Sequence, residues 1–503
     1  MQIRVAVKEL KEYEGDALIV NIFEKQKKPG GATAAADAAL KGLVARKIER
    51  GEIKGKLGEV TVIPAGGRLR VENVLVAGLG DREKFDLDRV RQASAAAARR
   101  CGEIGSKRAG TVLHGAGAGG ISPADSARAI AEGAILGAYA FDRYRTKKGG
   151  KKDEKRLRAL DLLERDRGRA GSVREGARLG TALAGAAVFA RDMVNEPPSE
   201  MTPAAMARIA VEAGKEAGVE VKVHGKKDME KMGMGAILGV ARGSAQQPAF
   251  IVMRYRGAPG SKDAAGLIGK GITFDSGGLS LKPAKAMEDM KSDMSGGAAV
   301  IAVMRALGTL KPRINVTGIV PAVENMPGGS AQKVGDVLKT MSGRTVEVVN
   351  TDAEGRLILA DAIEYARREK LSPIVDVATL TGACVVALGD LCAGAFGNDD
   401  ELVGSIIAAG AAAGEKIWRL PVFDEYKELN KSDVADIKNA GGKDAGAITA
   451  ALFLGFFYND AKWCHLDVAG PAFAKKDKGY IRKGATGVPV RTLLHWLLAR
   501  SGG

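Results

Sequence analysis

Three short segments of the chain concentrate residues that could do chemistry together. LIGKGITFDSGGLSLK carries Lys270, Asp275 and Lys282; MEDMKSDMSGG carries Asp293; VVNTDAEGRL carries Asp352, Glu354 and Arg356. Four carboxylates converging on one pocket cannot all stay ionised without a counter-charge. Divalent cations supply it, and this many oxygen donors suit two ions sharing bridging carboxylates. Oxygen ligands without Cys or His fit Mn²⁺ or Mg²⁺, and Zn²⁺ accepts them as well. Lys270 sits in an apolar stretch, where an ammonium is costly unless paired or neutralised; it could ligate a metal only as the neutral amine. In an extended segment, residues two apart share a side, so Asp352, Glu354 and Arg356 would project together. Separate surface ion pairs at loop tips would use the same residues, each worth under about 1 kcal/mol. Spacing alone leaves both readings open.

The elements that would position these residues read as α/β. In the second half, strands are expected at Val219–Val223, Ala249–Tyr255, Gly266–Phe274, Ile314–Val320, Thr345–Val349, Ile374–Ala378 and Lys462–Val468. Helical stretches such as Ala298–Leu310 and Leu357–Lys370 lie between them. Unbroken apolar strands alternating with helices indicate a mostly parallel sheet flanked by helices, with ligands bound beyond the strands' carboxyl ends. The first half is a smaller α/β domain. It has a strand around Val74–Val76, a helix from Leu87 to Arg100, a strand at Thr111–Leu113, and a helix capped by Ser122 and running through Tyr139. The basic segment KKGGKKDEKRLR, 147–158, reads as a linker, followed by a helix from about Val173 to Val194. The expected domains are 1–170 and 171–503.

Taken together, GKGITFDSGG, MKSDMSG and NTDAEGRL resemble the metal-binding core of the M17 leucyl aminopeptidases, the cytosol aminopeptidases. NTDAEGRL is that family's signature. The likeness continues through ENMPGGSAQKVGDVL, DVATLTGA, SDVADIKN, GAITAALFL and HLDVAG, and covers most of residues 130–503. The resemblance implies two metal ions per subunit, with Asp275, Asp352 and Glu354 on one and Lys270, Asp275, Asp293 and Glu354 on the other. Lys282 and Arg356 match the family's two catalytic residues that are not ligands. Their implied roles are oxyanion stabilisation by Lys282 and a bicarbonate general base held at Arg356, acting with a metal-bridging hydroxide. Met290, Thr379, Gly382, Ala469 and Ala472 would line the pocket for the first substrate side chain. The activity implied is removal of Leu-like N-terminal residues from peptides by a homohexamer. Val334, where the family usually has proline, and Ser199, where it usually has asparagine, depart from the pattern at positions that are not ligands.

Composition narrows the setting. The chain has 503 residues, 46% of them apolar and 27% charged, which is ordinary globular usage. Four Cys without a CxxC pair fit a reducing compartment. The charged start MQIRVAVKEL and the lack of any long apolar run lead to the expectation of a cytoplasmic protein with no membrane partner. The net charge of +16 raises the alternative of a bifunctional or primarily DNA-binding protein, using the basic runs at 147–158 and Arg165–Arg178. A solvated linker explains those runs more simply. A two-metal phosphoesterase is a second rival, disfavoured by the metal-facing lysine. GAGAGG, 115–120, satisfies GxGxxG, but a helix occupies the place of the acidic strand end that a dinucleotide site needs, so it reads as a glycine turn. His465 is expected to make a supporting hydrogen bond rather than ligate.

Overall fold

The computed structural model describes residues 1–117, 119–146 and 156–502. Most of the basic segment expected at 147–158, namely 147–155, lies outside the described residues. The chain forms two compact units, Met1–Gly185 with Lys476–Arg482, and Ala186–Lys475 with Lys483–Gly503. The division falls inside the helix Ala170–Asn195.

The first unit is built on strands β1 (Gln2–Val7), β2 (Ala17–Ile22), β3 (Val60–Pro64), β4 (Asn73–Gly78), β5 (Arg108–Val112) and β6 (Ala159–Glu164). Their order is β1-β6-β5-β2-β4-β3, parallel throughout except for β3 against β4. Strand alternation sends side chains to both faces. Leu18, Val20, Ile22, Val74 and Val76 bury on one side, while Ile19, Leu75, Leu160 and Leu162 meet Val90, Ala97 and Ile130 on the other. The helices Leu87–Glu103 and Pro123–Gly137 supply that second layer. Ser122 caps the latter as expected, accepting from the Asp125 amide.

The second unit holds β7 (Glu220–His224), β8 (Ala249–Arg256), β9 (Ala265–Gly269), β10 (Gly271–Asp275), β11 (Asn315–Asn325), β12 (Val337–Lys339), β13 (Thr345–Glu347), β14 (Ile374–Ala378), β15 (Cys392–Gly397), β16 (Lys416–Arg419), β17 (Ile437–Lys438) and β18 (Trp463–Asp467). The main sheet runs β16-β15-β18-β14-β9-β11-β8-β7, with β10 also paired to β11. Its centre, β18-β14-β9-β11, is parallel, and antiparallel strands close both sides. A core around Phe250, Ile268, Ile319, Leu357, Ile363, Ile374 and Phe453 fills the space beneath the covering helices.

Two sequence expectations need correction. The strand expected at Gly266–Phe274 is interrupted at Lys270, which separates β9 from β10. There the backbone turns to other partners, the Lys270 amide donating to the Val377 carbonyl and the Gly297 amide to the Lys270 carbonyl. The segment 352–356 is not extended. Asp352 lies in a turn, Glu354 has helical backbone angles, and Arg356 is in the first turn of the helix Gly355–Arg368.

That helix also ties down its neighbours. Asp361, fully buried, accepts from the amides of Ala236 and Ile237, which open the helix Gly235–Ala241, and from the Met341 amide. Burial pushes its pKa up to about 7 against those three donors. Asp361→Ala leaves three buried amides without an acceptor and is expected to cost about 2–4 kcal/mol, with Asp361→Asn costing less. Denaturant unfolding followed by tryptophan fluorescence measures both.

Candidate metal centre

The carboxyl ends of the central strands deliver the chemistry. Asp275 closes β10, Asn325 closes β11, Lys270 follows β9, Thr379 follows β14, and Ala469 follows β18. Asp293 comes from the short turn of helix Met290–Met294, and Glu354 and Arg356 from the start of Gly355–Arg368. A cavity of about 420 Å³ gathers Lys270, Asp275, Lys282, Asp293, Asp352, Glu354 and Arg356 on its wall. Met290, Thr379, Gly382 and Ala469 line it as well. Ala472 does not; it is buried behind the wall, its backbone amide bonded to Val468.

The carboxylates lie close together and are held. One oxygen each from Asp275, Asp293 and Glu354 falls within 4.8 Å of the others. Asp275 Oδ1 accepts from Asn325 Nδ2 at 2.8 Å and from the Gly277 amide at 2.9 Å. Asp293 Oδ1 accepts from Thr379 Oγ1 at 2.7 Å. Lys270 Nζ lies 2.8 Å from both Asp293 Oδ2 and Glu354 Oε1, and donates to the Thr379 carbonyl at 3.0 Å. Lys282 Nζ lies 2.9 Å from Asp275 Oδ2 and 2.5 Å from Asp352 Oδ1. Glycine at 355 leaves room for Lys270 in this position, since a Cβ there would stand 2.6 Å from its Nζ.

Electrostatics marks this as a place built for cations. Burial raises the pKa of Asp293, Asp352 and Glu354, and neighbouring carboxylates raise them further. Burial alone would lower Lys270 and Lys282, but the facing carboxylates outweigh it and hold both above the ordinary lysine value. Burial pushes Arg356 down to about 10, so it stays cationic at neutral pH.

The donor set fits a metal cluster. Among the described residues, Asp293 Oδ2, Asp352 Oδ1 and Glu354 Oε2 are buried without an aligned hydrogen bond. The first two touch lysine ammoniums only as ion pairs. Arg356 Nε is likewise buried without a partner. Buried oxygens with spare lone pairs are what cations satisfy.

Sequence reasoning missed Asn325, Ser292, Asn350 and Thr381, all within or bracing this site. Asn325 lies at a strand end far in sequence from the clustered carboxylates, and only the β10–β11 pairing brings it to Asp275. Thr381 donates to Asp467 Oδ2, a carboxylate that also accepts from the Leu380 and Ala469 amides and so fixes the wall past β14 and β18. His465 is not a ligand candidate here. It bonds Asp376, which also accepts from Tyr458, in a buried network behind the site.

Comparison with known proteins agrees along the whole chain. Profiles of the cytosol aminopeptidase family match its catalytic domain over residues 188–494 and its N-terminal domain over residues 19–148. A probable cytosol aminopeptidase of Alkaliphilus oremlandii is 44% identical over 495 residues, covering 98% of this chain and 99% of that one. One from Geobacter sulfurreducens is 45% identical over 499 residues, covering 99% of each. Among solved structures, the bottromycin maturation enzyme BotP in complex with Mn superposes with TM-score 0.86 at 35% identity, covering 97% of this chain and 100% of that one. A mutant of tomato leucine aminopeptidase gives TM-score 0.88 at 33% identity, covering 99% and 96%.

Removing the buried ammonium leaves the carboxylates without their counter-charge. Lys270→Met is expected to lower the stability of chelator-treated protein by about 3–5 kcal/mol. Guanidinium unfolding of the two metal-free proteins checks this.

Proposed function

The chain belongs to the cytosol aminopeptidase family and is a metal-dependent aminopeptidase, and on that premise we propose that it releases Leu-like N-terminal residues from peptides. The observation that carries this reading is one cavity in which clustered carboxylates, Lys282 and Arg356 face an apolar wall.

We assign Asp275, Asp352 and Glu354 to one divalent ion and Lys270, Asp275, Asp293 and Glu354 to the other, with Asp275 and Glu354 shared. The buried Glu354 Oε2, which has no partner, and the buried Asp293 Oδ2 and Asp352 Oδ1, which meet only lysine ammoniums, support this assignment. Bound there, the ions supply Lewis acidity toward the scissile carbonyl and bring the pKa of a water toward neutrality. The protein's own groups do the rest. Asn325 and Thr379 fix the rotamers of Asp275 and Asp293, so the donors are placed before substrate arrives. Lys270 would hold an ion only as the neutral amine. Lys282, on the cavity wall, would donate to the oxyanion of the tetrahedral intermediate. Arg356 would hold a bicarbonate through its planar guanidinium fork, an anion that would supply a general base, and its buried Nε without a partner supports that role.

Met290, Thr379, Gly382 and Ala469 form the pocket for the first side chain, and Leu380 and Ala383 extend its apolar surface. The carboxylate-rich end favours a substrate whose amino terminus is unblocked. The oxygen-rich donor set supports Mn²⁺, with Zn²⁺ and Mg²⁺ as competing ions. Family resemblance supports a homohexamer working in the cytoplasm. Among the described residues no helix is long and apolar enough to cross a membrane.

Hydrolysis of leucine p-nitroanilide by the Mn²⁺-loaded protein tests the proposal. Glu354→Ala should lose both metal and activity. Lys282→Ala should retain metal while kcat falls about 10²–10³-fold. Normal rates in both variants would remove these residues from the site. Across substrates with straight-chain first residues, each added CH₂ should raise kcat/KM by up to about fourfold until the pocket is full. A flat series would contradict the apolar pocket.

A further inference from the structure

Gly115, Ala116, Gly117 and Gly119 border a second cavity, of about 530 Å³, lying wholly within the first unit. Its position follows from the strand order. From β2 the chain moves to β4 on one side, then passes back beyond β2 to β5 on the other. Connections leave this strand pair in opposite directions, and such a reversal opens a crevice at the carboxyl ends. Asn21 and Phe23 at the end of β2, Val112 and Leu113 at the end of β5, and Glu164 at the end of β6 line the cavity.

Its chemistry is specific. Lys8, Arg82, Arg165 and Arg169 line it against Glu9 and Glu164. Arg82 is stacked over the Phe23 ring at 4.6 Å and Arg169 is paired with Asp166, whereas Lys8 and Arg165 form no ion pair among the described residues. Gly30 and Gly31, where the helix Gly31–Ala39 begins without a side-chain cap, also face the cavity. An independent feature points to a ligand with donors. Glu164 is only 8% exposed, and one of its oxygens accepts from the Asp166 amide at 2.9 Å. Its other oxygen makes no hydrogen bond among the described residues and is not itself buried. A carboxylate on the cavity wall with an oxygen to spare can accept from a hydroxyl or amine.

We propose that this cavity is a second binding site, separate from the metal centre, for a small phosphate ester. Backbone amides at the helix start, with Lys8 and Arg165, hold the phosphate, and Glu164 accepts from a hydroxyl or amino group of the ester's body. Nucleotides and sugar phosphates share this chemistry, and the volume lies in the range of small-molecule sites.

Titration calorimetry on the metal-loaded full chain, with ADP, ribose 5-phosphate and adenosine as probes, tests it. At least one of the two esters should bind with Kd below about 1 mM, and the tighter one identifies the body recognised; adenosine should not bind. Gly30→Asp places a carboxylate where the phosphate would lie. Residue 30 has extended backbone and only the Gln26 amide nitrogen near a new Cβ, so the variant should fold and keep its peptidase rate. It should weaken ester binding at least about tenfold, and Arg165→Ala should weaken it too. Absence of ester binding, or binding unchanged in Gly30→Asp, which would locate the anion at the metal centre, overturns the proposal.

Discussion

The second unit is organised around one electrostatic problem: three nearly fully buried carboxylates, Asp275, Asp293 and Glu354, share a space less than 5 Å across, with Asp352 beside them. Burial and mutual repulsion both oppose their ionisation. Lys270 and Lys282 answer part of that repulsion, yet several carboxylate oxygens keep unsatisfied lone pairs. An arrangement this unfavourable persists where a ligand of opposite charge repays it, which is why metal dependence and the placement of the acids are one fact rather than two.

The fold meets the geometric side of that problem with strand ends. Four parallel central strands stop at the same edge of the sheet, so residues distant in sequence arrive within a few ångströms. Interruption of the strand at Lys270 and the glycine at 355 let a long side chain thread between backbone segments to reach Asp293 and Glu354. Bracing polar groups, Asn325 on Asp275 and Thr379 on Asp293, fix the acids from behind. The rigid frame and the reactive face are thus set by different residues.

Much of this was legible in the sequence because it is written in local signals. Strand Ile374–Ala378 and the Ser122 cap follow from apolar runs and capping chemistry, and the residues Lys270, Asp275, Asp293, Asp352, Glu354 and Arg356 stand out by type and motif. What escaped depends on tertiary pairing. Period-two reasoning wrongly extended 352–356, because the turn at Asp352 and the helix starting at Gly355 override it. Asn325 gave no sign of its role, since only strand register takes it to Asp275. Ala472 matched a motif yet is buried and does not line the cavity. The overall charge of +16 misdirects in the same way: it describes the whole chain, whereas the reaction centre is locally acidic.

We propose that the acidic cluster holds two divalent ions with Lys270 as a neutral ligand. Anomalous diffraction from crystals of the Mn²⁺-loaded protein measures this directly. Two peaks are expected, both touching Asp275 and Glu354, one also touching Lys270 and Asp293 and the other Asp352. A single peak, or two peaks with Lys270 still paired to Asp293 as an ammonium, would contradict it.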